Sequence, residues 1–449
     1  MMDRRTFLAA AALPMTAAIG TRANVLIITT DEQFADACSF RMGKQFLHTP
    51  NMDRLAASGQ VFSRAYCANP LCVPQRNSMY TGHYPTETGV MDNEDRTKVR
   101  LDPAKFPLMG KVFRDAGYDT AYFGKWHLTV PEKEVATHGF VTCQTPQDDP
   151  VTASGAVNFL RSKPSGPFLM VASFLNPHNI AEWARGQKLS LGDVGQPPPL
   201  AELPPLRQNH LPQKNEPDIV SLIRRSYQSA PMFPVAGFDE KKWREYIWAY
   251  YRMIEKVDAE IGKVLDALHE SGLEKDTLVV FTADHGDCMG AHGWNQKTIL
   301  FEESVRVPFI LSKPGTIRPG TSSRLLNTGV DLLPTVCDYA GIAPPVGLPG
   351  LSLAKSRSHQ YVVVANRMIQ GLPVDGKRVA PTGRMVRGDR FKYTAWSEGT
   401  MRESLVDLEN DPGEMLNLAG DPKWRKTLLS YRATLKTWCH RWNDTFFVA

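Results

Sequence analysis

The chain has 449 residues, which at roughly 100–200 residues per domain allows two to four domains. It is 42% apolar, 22% charged and 9% aromatic, an ordinary folded composition that excludes disorder, collagen-like repeats and coiled-coil arrays for the chain as a whole. Fifty-two basic against 47 acidic residues leave a net charge of +5, too weak for a nucleic-acid binder but compatible with a small anionic substrate. Beyond residue 23 no apolar run reaches the ~18 residues of a membrane span, so an integral membrane span is excluded there. The seven cysteines are too few for a disulfide scaffold, and their odd number leaves at least one thiol unpaired or chemically converted. Their spacing assigns no pair.

Residues 1–23 carry Arg4 and Arg5 ahead of Phe7-Leu8, then an Ala-rich stretch, and end in Thr21-Arg22-Ala23. A charged start, a short apolar middle and small residues at the end describe an export signal. The arginine pair makes it twin-arginine-like, which implies the twin-arginine export machinery and a periplasmic or secreted, oxidising destination. Asn24–Thr30 follows at once, nearly all apolar, and reads as a strand buried on both faces that ends at Asp31-Glu32.

Residues 51–59 and 105–117 read as helices closed by Gly59 and Gly117. Tyr118–Gly124 reads as a strand running into Lys125-Trp126-His127, and Phe168–Phe174 as a buried strand followed by Asn176-Pro177-His178. Residues 187–240, rich in proline around Pro197, Pro198 and Pro199, read as a long irregular insertion. A long helix is expected over 241–271, a strand over Thr277–Thr282 ending at Asp284-His285, and another over Val307–Leu311. Past a Pro/Gly break at 344–350 come short strands (Tyr361–Ala365, Arg384–Val386, Phe391–Trp396, Leu405–Asp407) and a last helix over 422–442. The pattern predicts an α/β domain over 24–350, with a large, mostly parallel sheet flanked by helices. A C-terminal subdomain over 351–449 adds a small antiparallel sheet and a helix. Polar residues just beyond four separate strands converge in such a fold, because sites form outside the carboxyl ends of parallel strands.

Cys72 lies in Pro70-Leu-Cys72-Val-Pro74-Gln-Arg76, where Arg76, one helical turn on, favours the thiolate. Cys72-x-Pro74-x-Arg76, followed by Thr81-Gly82, resembles the signature of the type I, formylglycine-dependent sulfatases of the alkaline phosphatase-like superfamily. Further segments resemble that family in order: Gly124-Lys125-Trp126-His127, Asn176-Pro177-His178, Ala283-Asp284-His285-Gly286, His292-Gly293-Trp294-Asn295-Gln296-Lys297, and the Asp407–Glu414 stretch. The likeness spans about residues 24 to 420.

The resemblance implies a sulfuric ester hydrolase. Cys72 is then converted to formylglycine by a formylglycine-generating enzyme, and its hydrated form attacks sulfur and expels an alcohol. Asp31, Glu32, Asp284, His285 and residue 72 are the implied ligands of one divalent metal. Ca2+ is the expected ion, with Mn2+ or Mg2+ as alternatives because the His285 imidazole softens the donor set. Arg76 is expected to hold the nucleophile and the ligand carboxylates, and Lys125 and Lys297 to bind sulfate oxygens. His127 is the expected base, and His178, with Lys297, the expected acid for the leaving oxygen. His292 stays undecided between a structural and a functional role. Trp183, Arg185 and Trp294 are candidates for a sugar subsite.

The chain departs from the family in Glu32 where Asp or Gln is usual, in His285 where Asn is frequent, and in bulkier Val73 and Gln75. The expected substrate is a small-molecule or oligosaccharide sulfate ester. A phosphonate monoester or phosphodiester hydrolase of the same superfamily, and a non-catalytic exported glycan-binding protein, are the alternatives.

Overall fold

The computed structural model describes residues 22–368, 371–378 and 380–446. Arg4, Arg5 and the apolar stretch of the expected export signal lie outside the described residues. Arg22 and Ala23 lie within them, and the Tyr118 hydroxyl donates to the Ala23 carbonyl at 3.1 Å.

Strands β1 (Asn24–Asp31), β2 (Gln60–Tyr66), β3 (Asp119–Gly124), β4 (Thr142–Gln144), β5 (Phe168–Pro177), β6 (Thr277–Ala283), β7 (Phe309–Ser312) and β8 (Gly320–Asn327) form one eight-stranded sheet in the order β4-β3-β5-β1-β6-β7-β2-β8. All neighbours pair in parallel except β7, which is antiparallel to both β6 and β2. β1 and β6 are buried along their whole length because helices cover both faces of the sheet. On one face lies the helix Glu240–Glu270, with Tyr246, Ile247, Tyr250, Ile254, Val257 and Ile261 packed against Leu26, Ile28, Ala172 and Phe281. On the other lie Cys72–Thr81 and Thr328–Ala340, packed with Val25, Ile27 and Val280.

Strands β9 (Val362–Arg367), β10 (Thr382–Arg387), β11 (Phe391–Trp396) and β12 (Glu403–Asp407) form an antiparallel meander, with the helix Arg425–Arg441 packing Leu428, Leu435 and Trp438 onto it. The Ala365 N–H donates to the Ala68 carbonyl at 2.9 Å, and Asn366 Nδ2 donates to the Thr298 carbonyl at 2.9 Å. The small sheet is thereby anchored directly to loops of the large one.

The expected elements differ from the observed ones in two places that matter. The insertion over 187–240 is not irregular throughout: Asp218–Gln228 is a helix that buries Ile219, Val220, Ile223 and Tyr227. Four apolar residues at helical spacing overcome the surrounding prolines there. The segment opened by Cys72 is itself a helix, Cys72–Thr81, every residue of which is buried. All seven cysteines are free thiols.

Candidate active site

β1, β3, β5 and β6 run in parallel, so their carboxyl ends open on one side of the sheet and present Asp31-Glu32, Lys125, His178 and Asp284 to a common space. The ends are tied together by main chain: the Lys125 N–H donates to the Ser173 carbonyl at 2.8 Å, and that of Asp284 to the Thr30 carbonyl at 3.2 Å. Opposite them the helix Cys72–Thr81 begins with Cys72 itself, whose side chain sits at the positive end of the helix dipole. Pro74 falls in the first turn, where helix N–H groups have no intrahelical acceptor and a proline costs nothing.

Arg76, one turn further, is buried and fully engaged. Its Nη2 donates to Asp31 Oδ2 at 2.9 Å, its Nε to Asp284 Oδ2 at 2.9 Å, and its Nη1 to Ser173 Oγ at 2.7 Å and the Lys125 carbonyl at 3.1 Å. A planar guanidinium thereby fixes the two carboxylates relative to each other. Lys125 Nζ lies 2.5 Å from Asp31 Oδ2 and 3.8 Å from Cys72 Sγ. Cys72 Sγ lies 3.2 Å from His285 Nε2 and 3.9 Å from Asp31 Oδ1.

The donor atoms of Asp31, Cys72, Asp284 and His285 all lie within 4.8 Å of one another and all four residues are buried. Two carboxylates, an imidazole and a fourth donor suit a divalent cation. His285 Nδ1 lies 3.0 Å from the Gly286 carbonyl, an orientation that has Nδ1–H donating and turns the Nε2 lone pair toward Cys72. Burial lowers the affinity of His285 for a proton, yet Asp284 and Cys72 outweigh it and lift its pKa to about 9. A site that gathers positive charge in this way is one in which a bound cation takes the place of the proton. Asp31 is held well below the usual carboxylate range: burial opposes ionisation, but Lys125, His178 and Arg76 prevail. The Cys72 thiol is likewise held well below its ordinary value against burial, chiefly by Lys125, Lys297 and His285.

Glu32 stands beside this group rather than in it. Its carboxylate accepts from Lys297 Nζ at 2.6 Å, faces His178 Nε2 at 3.8 Å, and forms a second donor group with Asp31 and His178. Its Oε1 is buried without a partner, and burial, opposed by Lys297, pushes its pKa up to about 8. Burial, then Lys125 and Lys297, push His178 down to about 4. His178 is 31% exposed at its side chain, which leaves one edge of the ring open to an incoming molecule. His127 is half-buried with Nδ1 unpartnered, and it is among the groups that hold the Cys72 thiol down. Between Lys125 and His127, Trp126 is an anchor: its Nε1 donates to the Val130 carbonyl at 2.7 Å and its ring packs on Tyr122.

Several residues beyond the sequence-derived set hold the site. Ser173, the one hydroxyl in an apolar strand, receives Arg76. Asp287 accepts from the N–H groups of Met289 at 2.6 Å and Gln296 at 3.1 Å, shaping the loop that delivers Lys297. In the sequence it is marked only as a further carboxylate three residues past Asp284; its burial belongs to the fold. Gln75 accepts from the Ala68 N–H at 2.7 Å and donates to Thr328 Oγ1 at 2.9 Å, and Val73 packs with Val90, Leu101 and Phe106; both bulkier residues serve the fold. Glu32, His127, His292, Gln296 and Thr298 all have positive φ, a strained conformation that recurs at functional loops.

Trp294 is completely buried, 5.4 Å from Tyr227 centroid to centroid, and cannot form a sugar subsite. Trp183 and Arg185 are both half-buried, and Lys242 Nζ lies 4.2 Å over the Trp183 ring. His292 groups with Glu303 and Glu414 instead of with Cys72.

The sulfatase family model matches residues 23–342, and that of the N-sulphoglucosamine sulphohydrolase C-terminal region matches residues 290–440. The chain is similar to a Delta 4,5-hexuronate-2-O-sulfatase of Bacteroides thetaiotaomicron, 34% identical over 415 residues that cover 88% of this chain and 84% of that one. An N-acetylglucosamine-6-O-sulfatase of the same organism is 25% identical over 485 residues, 90% and 84% of the two chains. Among solved structures, a 2-O GAG sulfatase superposes with a TM-score of 0.81 at 32% identity over 94% of this chain and 93% of that one. A phosphonate monoester hydrolase of Agrobacterium radiobacter shares the fold, with a TM-score of 0.70 at 23% identity over 94% and 96%. By its ordered motifs, its sheet and these matches, the chain belongs to the sulfatase family and is a sulfuric ester hydrolase of the alkaline phosphatase-like fold.

Proposed function

We propose that the chain removes sulfate from a sulfated carbohydrate, with residue 72 as nucleophile after conversion of its cysteine to formylglycine. The observation that carries this reading is the clustering of Cys72 with Asp31, Asp284 and His285 at the positive end of a buried helix, ringed by Arg76, Lys125 and Lys297. The similarity to proteins named as a hexuronate-2-O-sulfatase and a 2-O GAG sulfatase supports a 2-O-sulfated uronate as substrate.

Asp31, Asp284, His285 and residue 72 would hold one divalent ion, proposed to be Ca2+ with Mn2+ or Mg2+ as the alternatives. Formylglycine at position 72 would supply, as its hydrate, a strong oxygen nucleophile for sulfur, and the ion would make that hydrate more acidic. Lys125 and Lys297 bind sulfate oxygens and offset the charge that develops on them. Arg76 keeps the two carboxylates and residue 72 in register. His178, open at one edge, stands where the alcohol leaves. It is neutral beside two lysines, and the single negative charge of an arriving sulfate ester offsets their field and favours the imidazolium that donates the proton. Glu32 orients both Lys297 and His178. His127, with Nδ1 unpartnered, takes the proton that frees sulfate.

Peptide mass analysis of residue 72 after co-expression with a formylglycine-generating enzyme, with sulfate release from 2-O-, 4-O- and 6-O-sulfated sugars, tests the reading. Formylglycine and release from the 2-O ester are expected. Full activity with an unmodified thiol overturns the nucleophile. Faster turnover of matched phosphonate or phosphodiester substrates turns the assignment to the phosphonate hydrolases that share the fold. Export through the twin-arginine route is part of the proposal; unchanged export after Arg4→Lys with Arg5→Lys refutes it.

A further inference from the structure

We propose a second, separate cation site, built by His292, Glu303 and Glu414, that takes a divalent ion of the zinc or manganese kind and pins the Lys297 loop to the C-terminal sheet. The three donor groups come from distant stretches: the loop after β6, the short helix Glu302–Val305, and the loop after β12. All three residues are buried, and their donor atoms lie within 4.8 Å of one another.

Two of the three side chains keep a buried polar atom without a hydrogen-bond partner, His292 Nδ1 and Glu303 Oε2. His292 is completely buried, stacked on Phe301 with 3.8 Å between centroids, and its Nδ1 has no partner. Its Nε2 has one neighbour, Asn209 Nδ2, at 3.4 Å. Both hydrogens of that amide are already spent, on Glu303 Oε1 at 2.8 Å and the Gly413 carbonyl at 3.1 Å. The ring therefore keeps a lone pair that no protein donor serves. Glu303 Oε1 also accepts from Arg207 at 3.2 Å, while its Oε2 is buried without any partner. Glu414 receives Lys392 at 2.8 Å and the Glu302 N–H at 2.6 Å, and Lys392 is shared with Glu302 at 3.3 Å. Glu303 Oε2 keeps both lone pairs, and each Glu414 oxygen keeps a second one to give. One imidazole and two carboxylates are the donor mixture of zinc and manganese sites rather than of the all-oxygen calcium type. A cleft of about 660 Å³ lined by Arg207, Asn209, Glu302, Glu303 and Gly413 brings solvent up to Glu303.

The site is distinct from the one around Cys72, and its test is independent of sulfatase activity. Apo protein is titrated with ZnCl2 or MnCl2 alone, and bound metal is counted by plasma mass spectrometry after gel filtration. Wild type is expected to hold about two ions per chain, and folded His292→Gln or Glu303→Gln about one. Asp284→Asn is expected to lose the other ion and keep this one. An unchanged count in folded His292→Gln overturns the proposal. Should both variants fail to fold, wild-type crystals loaded with zinc decide the matter. An anomalous peak between His292, Glu303 and Glu414 confirms the site, and a water without anomalous signal refutes it.

Discussion

Cys72 differs from the buried thiols around it by its neighbours alone. Burial pushes Cys38, Cys67 and Cys288 well above the ordinary value, whereas at Cys72 the cations Lys125, Lys297 and His285 outweigh the same burial. Cys72→Ala is expected to lower turnover by at least about 10³-fold with an unchanged melting curve, since it removes the nucleophile and leaves the helix intact. Measurable wild-type rates in that variant would refute the role. His178→Ala is expected to slow esters of alkyl alcohols far more than nitrophenyl esters, whose leaving group needs no proton; equal losses would remove it as the acid. Asp149 offers a pH test away from the site. Burial raises its pKa from 3.8 to about 6, although it accepts the Leu175 and Asn176 N–H groups. The folded state thus keeps a proton that the unfolded state has lost. Stability contributed by this group is full below about pH 4 and falls by about 3 kcal/mol as pH rises to about 6 and beyond. The difference in unfolding free energy between wild type and Asp149→Asn, followed across that window, should show the slope.

At the scale of elements, legibility followed how each segment is buried. β1, β5 and β6 are apolar almost throughout because both faces are covered, and the sequence pattern finds them. β2 and β8 escaped it, since Ser63, Arg64 and the Gly320–Arg324 half of β8 lie at a partly solvated margin and break the alternation. Cys72–Thr81 escaped for another reason: Pro74, Asn77, Ser78 and Thr81 are poor helix formers, and burial on every side imposes the conformation. Close approach of β3 and β5 at their carboxyl ends demands Gly124. Its φ is +94°, and an added Cβ would meet the Ser173 carbonyl oxygen at 2.0 Å. Gly124→Ala is expected to cost more than about 2 kcal/mol in urea unfolding and to lower kcat through displaced Lys125. Within the Pro-rich segment, Ile223 is completely buried, so Ile223→Ala should cost about 2–5 kcal/mol; a loss near zero would show the helix to be dispensable.

For the whole molecule, the two sheets are joined by buried polar contacts in addition to apolar packing. Lys392 on β11 meets Glu302 of the large-sheet part and Glu414; within the small-sheet part, Arg384 on β10 holds Asp444 near the C-terminus at 2.6 Å and 2.9 Å. Removing one partner of such a buried pair strands the other charge. Arg384→Ala is therefore expected to cost about 3–5 kcal/mol, read by urea unfolding, with a matching loss for Asp444→Ala and less than the sum for the double variant.

The amino-acid sequence by itself determined the order of the strands buried on both faces and of the longest helix, the mixed α/β class and the residue types of the site, because apolar runs and short polar motifs are local signals. Tertiary structure alone decided which carboxylate joins which group. Asp31 and Glu32 are adjacent in the chain, yet a positive φ at Glu32 turns its side chain to Lys297 and His178 while Asp31 faces Arg76 and Lys125. It also decided that Trp294 is core and that His292 belongs with Glu303 and Glu414. Such outcomes depend on contacts between separate segments of the chain, Asp31 with Arg76 and Glu32 with Lys297 among them, and the field that lowers Cys72 exists only once the fold brings those charges together.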